Sequence, residues 1–316
     1  MKSEHVEAGR SIQQRTGKTF YLATRFLPER VRHPTYVLYG FFRIADEVVD
    51  DPDGTPPAEQ LARLESIRAQ ALGREPPADP VLAAFARLRE RAEIPAEEVH
   101  AFVDAMRADV HTDRYETAAD LDAYMRGSAA AVGVMMTAVM DPDDEATAIP
   151  HARALGEAFQ LTNFVRDVRE DIVELDRIYL PLETLHAHGV STDQIDRLEF
   201  TPAVGRAIAT ELRRAEARYR DGVAGIRHLP ADCQFPVLLA AVLYAEHHRL
   251  IRDRGYDVLS ERPSLSTRRK LWCLARTRWH WQWSRDPEVV FRRVAAVPFE
   301  EATRRDPDPG GHVPVR

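Results

Sequence analysis

Residues Gln160–Pro181 read QLTNFVRDVREDIVELDRIYLP, and their spacing decides how the chain folds. Asn163, Asp167 and Asp171 recur at i, i+4 and i+8, which on a helix stacks three oxygen-bearing side chains on one face. Gln160 adds a fourth polar group a turn earlier, while Leu161, Phe164, Val165, Val168 and Ile172 give the segment an apolar side. A helix that is both buried and lined with carboxylates is costly unless a cation compensates. A hard divalent ion such as Mg²⁺ suits oxygen donors and keeps positions for waters and phosphates. Upstream, Asp46 and Asp50 form a second i, i+4 pair, with Tyr39 and Arg43 on the same helical face. Two such helices facing each other across a cavity would hold metal ions able to grip a diphosphate. One D-x-x-x-D pair alone is more often a solvated helix face. Two pairs, each in an apolar helix with an arginine and an amide or tyrosine nearby, argue for a site.

Working outward, the pattern is helical nearly throughout, rich in Ala, Leu, Glu and Arg with little strand-like alternation. The expected helices are 18–27, 34–51, 58–72, 80–92, 95–111, 121–140, 151–175, 182–188, 192–198, 201–227, 236–255 and 265–283. Thr201 reads as an N-cap followed by Pro202 at the first helical position. With no convincing linker, residues 1–305 are expected to form one all-α domain, and the Pro/Gly-rich 306–316 a disordered tail.

The 316 residues are 44% hydrophobic and 29% charged, as in a globular chain, and the formal net charge of −7 argues against nucleic acid as a main partner. Cys233 and Cys273 are the only cysteines, too few for a secreted disulfide framework, and no signal-peptide pattern opens the chain. The expected compartment is the cytoplasm. Dinucleotide, P-loop and nucleophile-elbow motifs are absent. His247 and His248 are adjacent, so they face different sides of a helix and make a poor zinc pair.

Two long motifs carry a family resemblance. The first runs Tyr39-Gly40-Phe41-Phe42-Arg43-Ile44-Ala45-Asp46-Glu47-Val48-Val49-Asp50; the second runs from Gln160 through Asp171 and on to Arg177-Ile178-Tyr179-Leu180-Pro181. From about Lys18 to Trp283 the chain resembles the squalene/phytoene synthase family. The resemblance implies a single-domain, all-α isoprenoid-synthase fold with helices around a central cavity. It also implies head-to-head condensation of two prenyl diphosphates. Two C20 geranylgeranyl diphosphates giving phytoene is the first expectation; C15 farnesyl diphosphate giving squalene or dehydrosqualene is the alternative. A non-catalytic assembly relative is a distant third, since such a protein is expected to lose acidic ligands.

Residue roles follow from the resemblance. Asp46, Asp50, Asp167 and Asp171, with Asn163, would hold Mg²⁺, with Mn²⁺ as a substitute. Arg43, Arg166 and Arg262 would pair with diphosphate oxygens. Gln160 belongs to the same substrate-binding set. Thr19 and Phe20 match a segment lining a diphosphate site, with threonine where serine is usual. Tyr39, Tyr124, Tyr179 and Tyr244 resemble cavity tyrosines that steer the leaving group and shield carbocations. Two departures stand out: Glu47 follows Asp46 where many relatives have aspartate, and Ala105-Met106 replaces Gly-Met ahead of Asp109. Phytoene formation ends in proton loss, so no NADPH is expected.

Two further readings stay open. The small residues Ala129–Gly133 either leave room for a prenyl chain or allow close helix packing. The segment Arg276–Trp283 is aromatic and basic. It is expected to pack Trp279 and Trp283 into the core; the alternative is peripheral contact with a membrane interface. The sequence names no protein partner.

Overall fold

The computed structural model describes residues 18–50 and 54–299, so the tail expected at 306–316 lies outside the described residues. Among these residues, helices make up every regular element beyond a single isolated bridge, Arg114 to Ile178. The order is α1 (Lys18–Thr24), α2 (Glu29–Val49), α3 (Pro57–Ala71), α4 (Pro80–Arg91), α5 (Ala96–Ala108) and α6 (Ala118–Met125). A π-helical turn, Arg126–Ala130, leads into α7 (Ala131–Met140). Then come α8 (Glu145–Arg166), α9 (Val168–Leu175), α10 (Leu182–Ala187), α11 (Thr192–Asp196) and α12 (Pro202–Ala224). The chain closes with α13 (Ala231–Asp253), α14 (Thr267–Trp283) and α15 (Pro287–Val294). The last helix escaped the sequence reading; it starts on an Asp286 N-cap with Pro287 behind it.

Three helices expected to start at or just after a proline begin earlier in the chain. Pro34, Pro150 and Pro236 each lie inside a helix, five residues after starts at Glu29, Glu145 and Ala231. A proline this near the N-terminus forfeits one backbone bond, and burial on both sides of it keeps the helix intact. The expected helix 121–140 is also divided. The π turn widens it where Arg126 makes a two-pronged pair with buried Glu98, at 2.7 and 2.9 Å.

Three apolar clusters hold the helices. The first joins α2, α4, α5 and α7, with Phe41 stacked on Phe85 at 3.9 Å between centroids. The second gathers Tyr219, the middle of α13 and Phe291. The third packs Val165 and Val168 against α10, α12 and Ile251. Close approach is enforced at Gly133, where an added Cβ would lie 2.3 Å from the Ala152 carbonyl oxygen, and at Gly156, where it would lie 2.5 Å from that of Ala129. The small-residue run lets the backbones of this stretch and α8 approach closely, and Ala129, Val132 and Gly133 also line cavities.

Candidate active site

The long helix expected over 151–175 is interrupted at Asp167. That residue (φ −101°, ψ 8°) ends α8 and opens α9. The backbone ladder continues across the break, Asp167 N–H to Asn163 O at 2.8 Å and Asp171 N–H to Asp167 O at 2.9 Å. The three side chains thus stay near one face while the axis bends, and Asp171 falls in the first turn of a new helix. Behind the bend, Thr162 is fully buried, with its hydroxyl 3.0 Å from that of Tyr219 and 2.9 Å from His248 Nε2. His248 and His247 are buried, and burial pushes the His247 imidazole down to about 3, so both serve as neutral core groups.

The first acidic pair lies at the other end of a helix. Asp46 is in the last turn of α2 and Asp50 caps its C-terminus. A chamber of about 480 Å³ separates the two pairs, and all four aspartates line it together with Asn163. Tyr39, Arg43, Gln160, Arg166 and Tyr244 line it too, as do Phe20, Tyr124 and Tyr179. Arg262 does not line the chamber; it holds Asp167 from behind at 2.8 Å and Glu170 at 2.7 Å. Thr19 falls in α1, and its side chain lies outside the described residues.

The charges are unequally matched. Arg43 sits 3.9 Å from Asp46 and 3.7 Å from Asp50, and Arg177 reaches Asp50 at 3.7 Å. Asp167 takes Arg166 Nε at 2.6 Å as well as Arg262. Burial, with Asp50 close by, pushes the Asp46 carboxyl up to about 7. Burial, with Asp167 and Glu170 alongside, pushes Asp171 up to about 8. Asp50 is also raised by burial, against the pull of Arg177 and Arg43. A cation entering the chamber would draw these carboxyls back down.

The donor set fits a divalent cation. Asn163 Oδ1 is buried without a hydrogen-bond partner, and its neighbours offer hard oxygens. The expected ligands are nevertheless not gathered into a ready ion site: among the described residues no three His, Cys, Asp or Glu side chains cluster closely enough to hold one. Asp167 is drawn instead to its arginines, and Asp46 and Asp50 share Arg43.

Three residues given no role by the sequence, Asp109, Phe164 and Arg177, complete the wall, and Tyr115 stands behind it against Tyr124 and Tyr179. Asp109 accepts the Tyr124 hydroxyl at 2.8 Å, and burial pushes its carboxyl up to about 6 against the pull of Arg177. Arg177 donates to the Asp109 carbonyl at 2.8 Å. Tyr115 and Phe164 stack near Tyr179, at 5.9 and 4.2 Å between centroids. Asp109 and Arg177 were visible beside the motifs. Tyr115 gave no signal, because it reaches the site through loop pairing: Ile178 N–H bonds to Asp113 O and Leu182 N–H to Tyr115 O, each at 2.9 Å. An apolar extension of about 120 Å³ adjoins the chamber and shares Phe20, Val132, Met136, Gly156 and Phe159 with it.

Acidic pairs on separate helices, looking into one partly apolar chamber of an all-α fold, define an isoprenoid-synthase type of site. Comparison with known proteins narrows the class. The chain matches the squalene/phytoene synthase family over residues 13–269, and it belongs to that family. It is 36% identical over 273 residues to a phytoene synthase of Rhodobacter capsulatus, covering 83% of this chain and 77% of that one. It is 35% identical to a phytoene synthase of Thermus thermophilus, covering 78% and 83%. Among solved structures, a dehydrosqualene synthase in complex with ligand superposes with a TM-score of 0.80 at 26% identity, covering 89% of this chain and 98% of that chain.

Proposed function

We propose that this protein is a prenyltransferase that joins two geranylgeranyl diphosphates head to head to give phytoene, the entry step to carotenoids. The observation that carries the reading is the single chamber lined by Asp46, Asp50, Asp167 and Asp171, with an aromatic wall and an apolar extension beside it. Residues 1–305 act as one synthase domain.

Asp46, Asp50, Asn163, Asp167 and Asp171 would hold Mg²⁺, or Mn²⁺ in its place; the bound ions supply positive charge that steadies the departing diphosphate. Arg43, Arg166 and Arg177 add fixed positive charge from the chain itself, and Arg262 keeps Asp167 oriented. In the first step the allylic C1–O bond of one substrate breaks, and its electron pair leaves with the diphosphate. The double bond of the second substrate then attacks the allyl cation, and loss of a proton closes a cyclopropylcarbinyl diphosphate. In the second step that diphosphate ionises, the carbon skeleton rearranges, and a further proton leaves to give phytoene. No hydride is consumed, so no NADPH is required. Tyr124, Tyr179 and Phe164 form a packed aromatic cluster on the chamber wall that shields the cationic intermediates and keeps water away. Gln160, Tyr39, Tyr244 and the Thr19–Phe20 segment shape the diphosphate end.

Similarity to a dehydrosqualene synthase favours one competing reading, farnesyl diphosphate as substrate. Incubating the purified protein with each diphosphate and Mg²⁺, then identifying the hydrocarbon, separates the two. A C40 hydrocarbon formed without NADPH is expected; a C30 product alone would overturn the choice. Among the described residues no helix is long and apolar enough to cross a membrane. Substrate and product are lipids, so the protein works in the cytoplasm against a bilayer surface.

A further inference from the structure

Helix α14 is amphipathic in the wrong sense for a core helix. Its buried strip is narrow: Cys273, Thr277 and Trp281 at i, i+4 and i+8. Its outer face carries large apolar side chains instead. Leu271 is 54% exposed, Trp272 42%, Trp279 60% and Trp283 73%, so the expectation that Trp279 and Trp283 pack into the core is overturned. They are all of the exposed tryptophans among the described residues, and they share one helix. The physical reason is register: Trp281 takes the single inward position, two residues from each of the others.

The face is basic as well as aromatic. Arg268, Arg269, Lys270, Arg276 and Arg278 lie on this helix, which has no Asp or Glu, in a chain of net charge −7. Two guanidiniums lie over the Trp272 ring, Arg269 at 4.2 Å and Arg276 at 5.0 Å from its centroid, Arg269 being also ion-paired with buried Glu246. Trp279 and Trp283 meet edge to face at 5.9 Å. The aromatic line continues to the substrate cavities. Arg278 covers Phe235 at 5.6 Å, and Phe235 contacts Trp281 and the exposed Phe26. Leu27 and Pro236, the next residues along the chain, line the apolar extension of the chamber.

We propose that the outer face of α14, with Phe26, is a docking surface for an anionic phospholipid bilayer, placed where the lipid-handling extension approaches the protein's exterior. Tryptophan rings favour the headgroup boundary, and arginine and lysine are drawn to anionic lipid. Charge complementarity selects this occupant over a second copy of the chain, whose own α14 would bring like charge to like. The assignment rests on the reading of a lipid substrate, but its test does not.

The full-length protein is sedimented with phosphatidylcholine vesicles and with vesicles containing phosphatidylglycerol. Partition at least about tenfold stronger onto the anionic vesicles is expected, weakening with added salt. Trp272→Ala/Trp279→Ala/Trp283→Ala together should lower it about tenfold, while turnover of detergent-dispersed substrate stays at the parent level. If that variant fails to fold, Arg268→Glu/Arg278→Glu provides the same readout through charge. A parent protein that ignores anionic vesicles, or folded variants that bind as the parent does, would overturn the proposal. So would a parent dimer that the tryptophan substitutions dissociate, because a second copy would then cover the face. Vesicle binding without any turnover in detergent would defeat the prenyltransferase reading and leave the docking surface standing.

Discussion

The two acidic walls of the chamber are chemically alike and structurally opposite. Asp46 and Asp50 lie at the C-terminal end of α2, where the helix dipole is negative and works against added carboxylates. Asp167 and Asp171 lie at a bend, so Asp171 falls in the first turn of α9, where the dipole favours it. The first wall shares Arg43 at 3.7–3.9 Å, and Arg177 adds a partner for Asp50 alone. In the second, Asp167 is tightly paired with Arg166 and Arg262, and buried Thr162, Tyr219 and His248 pin the helix from behind. The second wall is thus braced at Asp167, while Asp46 and Asp50 rest on looser contacts to arginine. Even so, burial leaves one carboxylate on each side displaced, Asp46 up to about 7 and Asp171 up to about 8. The dipole at Asp171 is too weak to offset burial beside Asp167 and Glu170.

The sharpest way to break this contrast is to remove one charge from each wall. Asp46→Asn and Asp171→Asn should each lower kcat about 10²–10³-fold at saturating Mg²⁺, measured as hydrocarbon formed; retention of turnover by either would remove that wall from the site. Next in size are the arginines. Arg43→Ala should lower kcat/KM about 10–100-fold and Arg262→Ala about tenfold, because Asp167 keeps Arg166 when Arg262 is gone. Steady-state kinetics with the reverse ranking would mean that the second wall is the looser one.

Stability changes probe the bracing. Thr162→Val removes the hydroxyl that Tyr219 and His248 share and should cost about 1–2 kcal/mol in urea unfolding. The smallest expected effect has the opposite sign. Asp46→Asn removes a half-exposed carboxylate set close to Asp50 and should raise the Tm of metal-free protein by about 2 °C at neutral pH. A fall in Tm would show that Arg43 already neutralises the first wall.

The four aspartates share helical spacing, and Tyr39, Arg43, Arg166 and Tyr179 fall within the two long motifs, whereas Tyr124, Tyr244 and Arg262 were indicated only by the family resemblance. The bend at Asp167 was not legible: the residues around it keep the i, i+4 pattern, and only backbone geometry separates α8 from α9. Prolines misled in the other direction. Pro34, Pro150 and Pro236 look like starts, yet each lies five residues inside a helix whose burial outweighs one lost bond. Tyr115 was invisible because its place depends on a loop–loop bridge between segments more than sixty residues apart, Tyr115 O to Leu182 N–H. The tryptophans of α14 were misplaced because aromatic composition favours a core, and which of Trp279, Trp281 and Trp283 faces inward is set by helix register against α13 and α15.

That the walls act on one shared ligand is tested most directly by a double-mutant cycle read as Mg²⁺-dependent affinity for inorganic diphosphate. Asp46→Asn, Asp171→Asn and the double variant are compared with the parent by calorimetry. A shared ligand predicts strong non-additivity, with a coupling of about 1 kcal/mol or more between side chains on helices far apart in sequence. Effects that add to within about 0.5 kcal/mol would mean that the two walls bind independently, and would contradict the account.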